Sequence, residues 1–127
     1  MDTHTMIWAY YSPEHLSVAA TKAIRNAPTV FISAASLYEI AFKGSLGKWP
    51  EVEDIWNTDM ESMFDRLGTK TLPANGLIMQ RAGSMEWAHR DPFDRLIVMT
   101  ALIHGLPLVS KDKTLDSLEN QNLQRIW

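Results

Sequence analysis

The sequence predicts one α/β domain over residues 1–127, with a central, mostly parallel sheet and helices on both of its faces. Short runs of β-branched and aromatic residues alternate along the chain with longer segments of helical patterning, as they do in parallel α/β folds. The chain has 127 residues, a length that suits one core, and 46% of them are hydrophobic. No internal repeat, low-complexity tract or linker interrupts this alternation.

The first third of the chain is predicted to form two helices and a strand. Residues 6–11 and 17–26 have helical patterning, and Ser17 is a suitable N-cap for the second helix. Residues 29–33 (TVFIS) are rich in β-branched and aromatic side chains, which favour a strand. The opening fragment MDTH resembles the end of an earlier strand.

The middle of the chain is predicted to hold two helices and a short strand. Residues 34–43 space their apolar side chains at helical intervals, and residues 44–50 form a loop. Residues 53–67 have the pattern of an amphipathic helix. Residues 70–72 then form a short strand that ends before Pro73.

The last third is predicted to alternate helices with strands. Residues 76–87 form one helix; another begins at its N-cap Asp91, runs to His104 and stops at Gly105. The remaining predicted elements are a strand over residues 106–110, a short helix near 113–119 and a last strand over 123–127. Ligands of such parallel sheets bind beyond the carboxyl ends of the strands, which directs attention to the acids located there.

Composition excludes several classes of site. The chain has no cysteine, so disulfides and thiolate chemistry are excluded and a reducing cytoplasm is expected. No apolar run approaches the roughly 20 residues of a transmembrane helix, and no signal peptide is recognised. The net charge is -3, so any attraction for nucleic acid must come from a local basic patch or a bound cation.

Four acids from separate segments are expected at one edge of the sheet: Asp2, Glu39, Asp94 and Asp112. In a parallel sheet, the carboxyl end of a strand and the start of the following helix share that edge. Carboxylates packed together repel one another unless they hold protons or a cation. Their hard oxygen atoms suit Mg²⁺ or Mn²⁺.

Each acid also has a purely structural interpretation. Asp91 is a good N-cap, and Asp94 lies in the first turn of the same helix, where the helix dipole favours a negative charge. Glu39 could form a surface pair with Lys43, four residues later. Asp2 and Asp112 could be ordinary turn residues. The expected placement of all four acids at one edge is stronger evidence for a functional site than any one acid alone.

Three blocks of the sequence resemble the PIN domain of VapC-type toxins. They are MDTHTMIWAYYSPEHLS, VFISAASLYEIAFKGSLGK and HRDPFDRLIVMTALIHGLPLVSKD, and they occur in the order typical of that family. The last block is the most specific, because it joins DPFDRL to an apolar helix, a glycine, a strand and then an acid. The resemblance implies a Rossmann-like, three-layer α/β/α sandwich with an acidic site that binds Mg²⁺ or Mn²⁺ and cleaves RNA.

The resemblance also assigns individual residues. The acids of the site, as catalytic residues and metal ligands, fall on Asp2, Glu39, Asp94 and Asp112. Asp91 matches a position that is more often a cap than a ligand and is a secondary candidate, and Ser110 matches a small hydroxyl position beside the site. Apart from the resemblance, Thr3 could donate a hydrogen bond near Asp2 or serve as a turn residue. The family implies a homodimer and a cognate antitoxin whose C-terminal segment covers the acidic groove.

Other polar residues carry weaker signals. Arg90 and Arg95 flank the DPFD acids and could hold RNA phosphates, although Arg95 could equally position an acid. The four histidines are His4, His15, His89 and His104, and their spacing forms no metal motif. No GxSxG, GxGxxG or Walker A motif occurs, which disfavours a serine hydrolase and a nucleotide cofactor.

Three functions remain open at this point. The first is a metal-dependent endoribonuclease that acts as the toxin of a toxin–antitoxin pair. The second is a catalytically impaired PIN-like module that binds RNA or protein, because only Met1 precedes Asp2 where the family usually has an apolar strand. The third, an aspartyl phosphatase, is disfavoured because His4 stands where a second aspartate is expected.

Overall fold

The computed structural model describes all 127 residues, Met1–Trp127, and shows an α/β fold. The helices are α1 (Thr3–Tyr11), α2 (Val18–Asn26), α3 (Ala34–Ser45), α4 (Met60–Arg66), α5 (Gly76–Ser84) and α6 (Pro92–Ile103). The strands are β1 (Val30–Ser33), β2 (Thr69–Leu72), β3 (Leu108–Val109) and β4 (Arg125–Ile126). Short 3-10 segments cover Pro13–His15 and Pro50–Val52, and a longer 3-10 helix covers Lys113–Gln121. No helix has the length and apolar character that crossing a membrane requires.

The strands form two parallel pairs, as the sequence predicts. β1 pairs with β2, and β3 pairs with β4. Met1 and Asp2 lie between the pairs: the Met1 amino group donates to the Phe31 carbonyl oxygen at 2.8 Å, and the Asp2 amide donates to the Val109 carbonyl oxygen at 3.1 Å. These two residues therefore join β1 to β3 at the position predicted for the end of an earlier strand.

Apolar side chains pack on both faces of the sheet. Consecutive residues of β3 point to opposite faces, and Val109 joins one buried cluster whereas Leu108 joins the other. The first cluster is built mainly by α1, the 44–60 segment and α4, and the second by α5, α6 and the 3-10 helix. This arrangement is the predicted three-layer sandwich.

The predicted helix over residues 53–67 is wrong for its first half. Residues 53–58 form turns, and α4 begins only at Met60. The Thr58 hydroxyl donates to the Ile55 carbonyl oxygen at 2.8 Å, and the Asp59 side chain accepts from the Ser62 amide at 3.1 Å. The Thr58 bond stabilises a turn in place of the predicted helix, and the Asp59 bond caps the start of α4.

Other boundaries differ from the predictions. The first helix begins at Thr3 rather than residue 6, because Asp2 caps it. α5 ends at Ser84 rather than at residue 87, which leaves residues 85–91 as a loop before α6. The last two strands are only two residues long, although backbone hydrogen bonds from Leu108 to Gln124 and from Ser110 to Ile126 extend their pairing.

An apolar cavity lies between the two strand pairs. A cavity of about 380 Å³ extends from Met1 between β1 and β3, and 14 of its 19 lining residues are hydrophobic. Since Met1 and Asp2 alone join β1 to β3, the sheet is interrupted along this cavity.

Candidate active site

A polar cavity of about 270 Å³ lies beyond the carboxyl ends of β1 and β3. The structure brings all four predicted acids to it, together with Asp91. The lining acids are Asp2, Glu39, Asp91, Asp94 and Asp112. They come from α3, α6 and the segments that precede α1, α6 and the 3-10 helix, so folding concentrates carboxylates that are far apart in the sequence.

Three of these acids are positioned as helix N-caps. Asp2 caps α1, Asp91 caps α6 and Asp112 caps the 3-10 helix Lys113–Gln121, with carboxylate-to-amide distances of 2.7, 2.8 and 2.8 Å. Three helix N-termini therefore meet at the cavity. Their first-turn amide groups and dipoles favour negative charge, from these carboxylates or from a phosphate.

Glu39 is the most buried acid of the cavity, with 5% of its surface exposed. It lies on α3, one turn after Ala35, and forms an ion pair with Lys43. The alternative pairing recognised in the sequence is therefore present, but it is a cavity contact rather than a surface pair. The Lys43 ammonium also lies 5.4 Å from the centre of the Trp49 ring.

Asp94 has an electrostatic environment that penalises its charge. Its Oδ2 lies 2.6 Å from Nε2 of His89. Burial raises the pKa of Asp94 above its usual value, the hydrogen bond from His89 opposes this, and the negative charges of Asp91 and Glu39 raise it further. A cation in the cavity would relieve this repulsion.

Three side chains are close enough to share one ion. Ligand atoms of His89, Asp94 and Asp112 all lie within 4.8 Å of one another. Opposite ligands of one Mg²⁺ ion are roughly 4.2 Å apart. An inward shift of at most about 0.6 Å would bring the three donors to that spacing, so they fit a divalent ion. Asp2 and Glu39 line the same cavity outside this group of three.

The predicted supporting residues hold the site's backbone. The buried Thr3 hydroxyl donates to Ser36 Oγ at 3.0 Å and so ties the start of α1 to α3. The Ser110 hydroxyl, fully buried, accepts from the Asp112 amide at 3.1 Å. Thr3 thereby fixes the backbone next to Asp2, and Ser110 fixes the backbone of Asp112.

The two predicted RNA-binding arginines differ in their surroundings. Arg90 is exposed. Arg95 donates from its guanidinium to the carbonyl oxygens of Ala82 in α5 and of Met85, Trp87 and His89 in the 85–91 loop. The Arg95 guanidinium is thus engaged by the protein's own backbone.

Sequence reasoning gave His89 no role and treated Lys43 only as a surface partner. His89 lies two residues before Asp91, in HRDPFD, so adjacency to the most specific motif was the available signal. His4 also lines the cavity, and its ring packs 4.7 Å from that of Trp49.

Comparison with known families identifies the architecture. The sequence profile described as the PIN domain matches residues 1–120. The chain belongs to the PIN domain family. The Rossmann-like α/β fold of this family is the one predicted, and the acidic cavity lies within the matched residues of the PIN domain.

A curated relative of this PIN domain is "Ribonuclease VapC22" from Mycobacterium tuberculosis (strain ATCC 25618 / H37Rv). The two sequences are 28% identical over 130 residues, and the match covers 100% of this chain and 96% of the relative. The similarity therefore extends over the whole PIN domain described above.

Proposed function

We propose that this PIN domain is a metal-dependent endoribonuclease of the VapC type that hydrolyses RNA phosphodiesters with a bound Mg²⁺ or Mn²⁺ ion. The observation that carries the proposal is the convergence of Asp2, Glu39, Asp94 and Asp112 on one cavity at the carboxyl edge of the sheet. The relative whose name includes ribonuclease activity supports the choice of substrate.

The cavity's residues divide into two groups in this proposal. Asp94 and Asp112 hold the ion, with Glu39 and Asp2 lining the same space. When bound, the ion would lower the pKa of a water molecule that it holds and would neutralise the negative charge that builds on the phosphate. The residues around it orient the substrate, because the N-termini of α1, α6 and the 3-10 helix direct amide groups towards an anion.

Lys43 completes the electrostatics of this cavity. Its ammonium is the only Lys or Arg group that lines it. An overall charge of -3 disfavours RNA at long range, so local cations have to attract the phosphate. We assign this role to Lys43, to the bound ion and to the exposed Arg90, which precedes the cavity acid Asp91 in the sequence.

We further propose that the protein acts in the cytoplasm as a toxin, is controlled by a cognate antitoxin and forms a homodimer. An exposed apolar patch supports a protein partner: Tyr38, Phe42 and Leu46 on or just after α3 are 64%, 46% and 50% exposed. The rings of Tyr38 and Phe42 contact each other and Phe93, beside the cavity. Contiguous exposed apolar groups mark contact surfaces more often than isolated ones.

The test is incubation of the purified chain with total cellular RNA in Mg²⁺, in Mn²⁺ and in EDTA, beside the Asp94→Asn variant. We expect discrete fragments only with wild-type protein and a divalent ion, and mapping of their ends identifies the target. Fragments that persist in EDTA contradict the metal requirement.

The interrupted sheet favours one alternative, a catalytically impaired PIN-like module that binds RNA or protein. Its prediction is a folded chain that cleaves no RNA under any of these conditions. In that case, retention of RNA by the chain in a filter-binding or gel-shift assay distinguishes the RNA-binding form of the module from the protein-binding form.

A further inference from the structure

His89 is the one nitrogen donor in the group of possible metal ligands, and the proposed function does not use it. It lies in the loop over residues 85–91, between α5 and α6. Its side chain is 28% exposed and contacts Asp94, which lines the cavity, so it is not a freely mobile surface group.

The ring is held towards the acids. Its Nε2 lies 2.6 Å from Asp94 Oδ2, and one ligand atom from each of His89, Asp94 and Asp112 lies within 4.8 Å of the other two. The lone pair of an imidazole nitrogen and a carboxylate oxygen repel each other at 2.6 Å unless a proton or a cation lies between them. This geometry suits a group that exchanges a hydrogen bond for a metal bond.

The loop that carries His89 is also fixed in place. Arg95 Nη1 donates to the His89 carbonyl oxygen at 2.9 Å and to the Trp87 carbonyl oxygen at 3.2 Å, and Arg95 Nε donates to the Ala82 carbonyl oxygen at 2.8 Å. The Trp87 ring packs 4.7 Å from the His89 ring. A ligand held this way loses little conformational freedom when an ion binds.

We infer that Nε2 of His89 is a ligand of the divalent ion, beside Asp94 and Asp112. This inference rests on the proposed function, since it requires an ion in the cavity. A mixed nitrogen and oxygen donor set disfavours Mg²⁺, which prefers oxygen ligands, relative to Mn²⁺, which accepts imidazole more readily. The site is therefore expected to bind Mn²⁺ more tightly than Mg²⁺.

A second role for His89 predicts different measurements. If the imidazole only orients Asp94 through its hydrogen bond, its removal still lowers metal affinity, by about 10–100-fold. Affinity alone therefore does not separate a ligand from a positioning residue. A direct bond between nitrogen and metal separates the two roles. His89→Gln is a suitable variant, because the Gln amide can retain a hydrogen bond to Asp94.

The experiment is pulsed electron paramagnetic resonance of Mn²⁺ bound to the full chain, without RNA. We expect a ¹⁴N modulation from a directly bonded nitrogen, replaced by the ¹⁵N pattern when the protein is grown with ¹⁵N-histidine. His89→Gln should remove the modulation and lower the Mn²⁺ affinity at least tenfold. His104→Gln, which changes an exposed histidine after α6, should leave both unchanged.

Each result has one meaning. Absence of Mn²⁺ binding by folded wild-type protein overturns the proposed metal centre itself. Bound Mn²⁺ without histidine nitrogen coupling leaves the metal centre intact and overturns the role of His89. Coupling that survives His89→Gln and disappears in His4→Gln also overturns it, and assigns the ligand to the other histidine of the cavity. The isotope substitution in wild-type protein gives a result even if His89→Gln does not fold.

Discussion

At the scale of single residues, the position of Lys43 bears on both the stability of the fold and the affinity of the proposed metal site. It neutralises Glu39, the most buried acid of the cavity, and so stabilises the fold when no ion is bound. In the proposed metal centre, the same ammonium would compete with a divalent ion for the field of the Glu39 carboxylate, which lines the cavity. One side chain therefore couples the stability of the metal-free protein to its metal affinity.

Lys43→Met should separate these two effects, because Met keeps an apolar stem and removes the charge. We expect the free energy of unfolding in EDTA to fall by about 2 kcal/mol, since Glu39 is left buried without its partner. Mg²⁺ affinity, measured by calorimetry, should rise several-fold. Lys48→Met is the matched control, because Lys48 is exposed and forms no ion pair. An unchanged Mg²⁺ affinity in Lys43→Met contradicts the competition.

At the scale of elements, the loop between α5 and α6 is ordered by one arginine. Arg95, in the first turn of α6, donates to four carbonyl oxygens of α5 and the loop. Carbonyl groups in a loop lack partners within a helix or sheet, so a guanidinium with five donors can satisfy several at once. The loop then presents His89 to Asp94.

Arg95→Lys should therefore destabilise the protein rather than weaken RNA binding alone. A lysine keeps the charge but cannot reproduce the planar set of donors, so we expect a loss of about 2 kcal/mol in unfolding free energy, seen as a lower Tm. Arg90→Lys, at an exposed neighbouring position, should leave Tm unchanged. If Arg95 instead bound RNA, its replacement would raise KM for RNA cleavage and leave Tm at the wild-type value.

The helices that were predicted well are those whose ends are set by residues next to them in the sequence. α3 and α6 were predicted closely, because Ser33 and Asp91 cap them and Gly105, with φ +60°, ends the second. The 53–67 helix was predicted from apolar spacing alone, and the hydrogen bonds of Thr58 and Asp59 divide it. Side-chain bonds to the backbone are not visible in a hydrophobic pattern.

The acidic residues were predictable because the topology of a parallel sheet fixes which edge they share. Asp2, Glu39 and Asp112 follow strand positions, and Asp94 begins a helix, so no side-chain detail was needed. His89 was missed because its position depends on the path of a loop. That path is set by hydrogen bonds from Arg95, which lies six residues later on another element.

At the scale of the whole molecule, the sheet is joined through two residues. Met1 and Asp2 connect β1 to β3, and the apolar cavity of about 380 Å³ continues from Met1 between the two strand pairs. The cavity has the lining and the flanking strands that an extended apolar segment needs. The Met1 amino group lies where the amide of such a segment would continue the chain.

If the amino group of Met1 is free, its burial makes stability depend on pH. Burial lowers the pKa of the Met1 amino group from 8.0 to about 6, partly opposed by the charge of Asp2. The unfolded chain thus binds more protons than the folded chain between these values, so stability rises with pH across this interval. The contribution is fully present above pH 8 and is lost as pH falls through about 6.

With a free amino group at Met1, we expect the unfolding free energy to rise by about 2 kcal/mol between pH 6 and pH 8 from this group. A short extended segment of β-branched residues joined before Met1 should remove this dependence and raise Tm, because it fills the cavity. A Gly-Ser segment of equal length is the control: at about pH 9, where the Met1 amine is already neutral, it removes the amine but does not fill the cavity, so it should not raise Tm. Equal Tm values for the two extended proteins contradict the inferred fit of a strand.

The central claim is that the cavity acids form a divalent-cation site, and Mg²⁺ binding by calorimetry to wild-type, Asp94→Asn and Asp91→Asn proteins tests it most directly. Asp91 and Asp94 lie in the same turn, but Asp91 is a cap and Asn also caps well. We expect wild-type and Asp91→Asn to bind Mg²⁺ with similar affinity, and folded Asp94→Asn to bind it at least tenfold more weakly. Wild-type affinity in Asp94→Asn, with loss in Asp91→Asn, would contradict the assignment of the site.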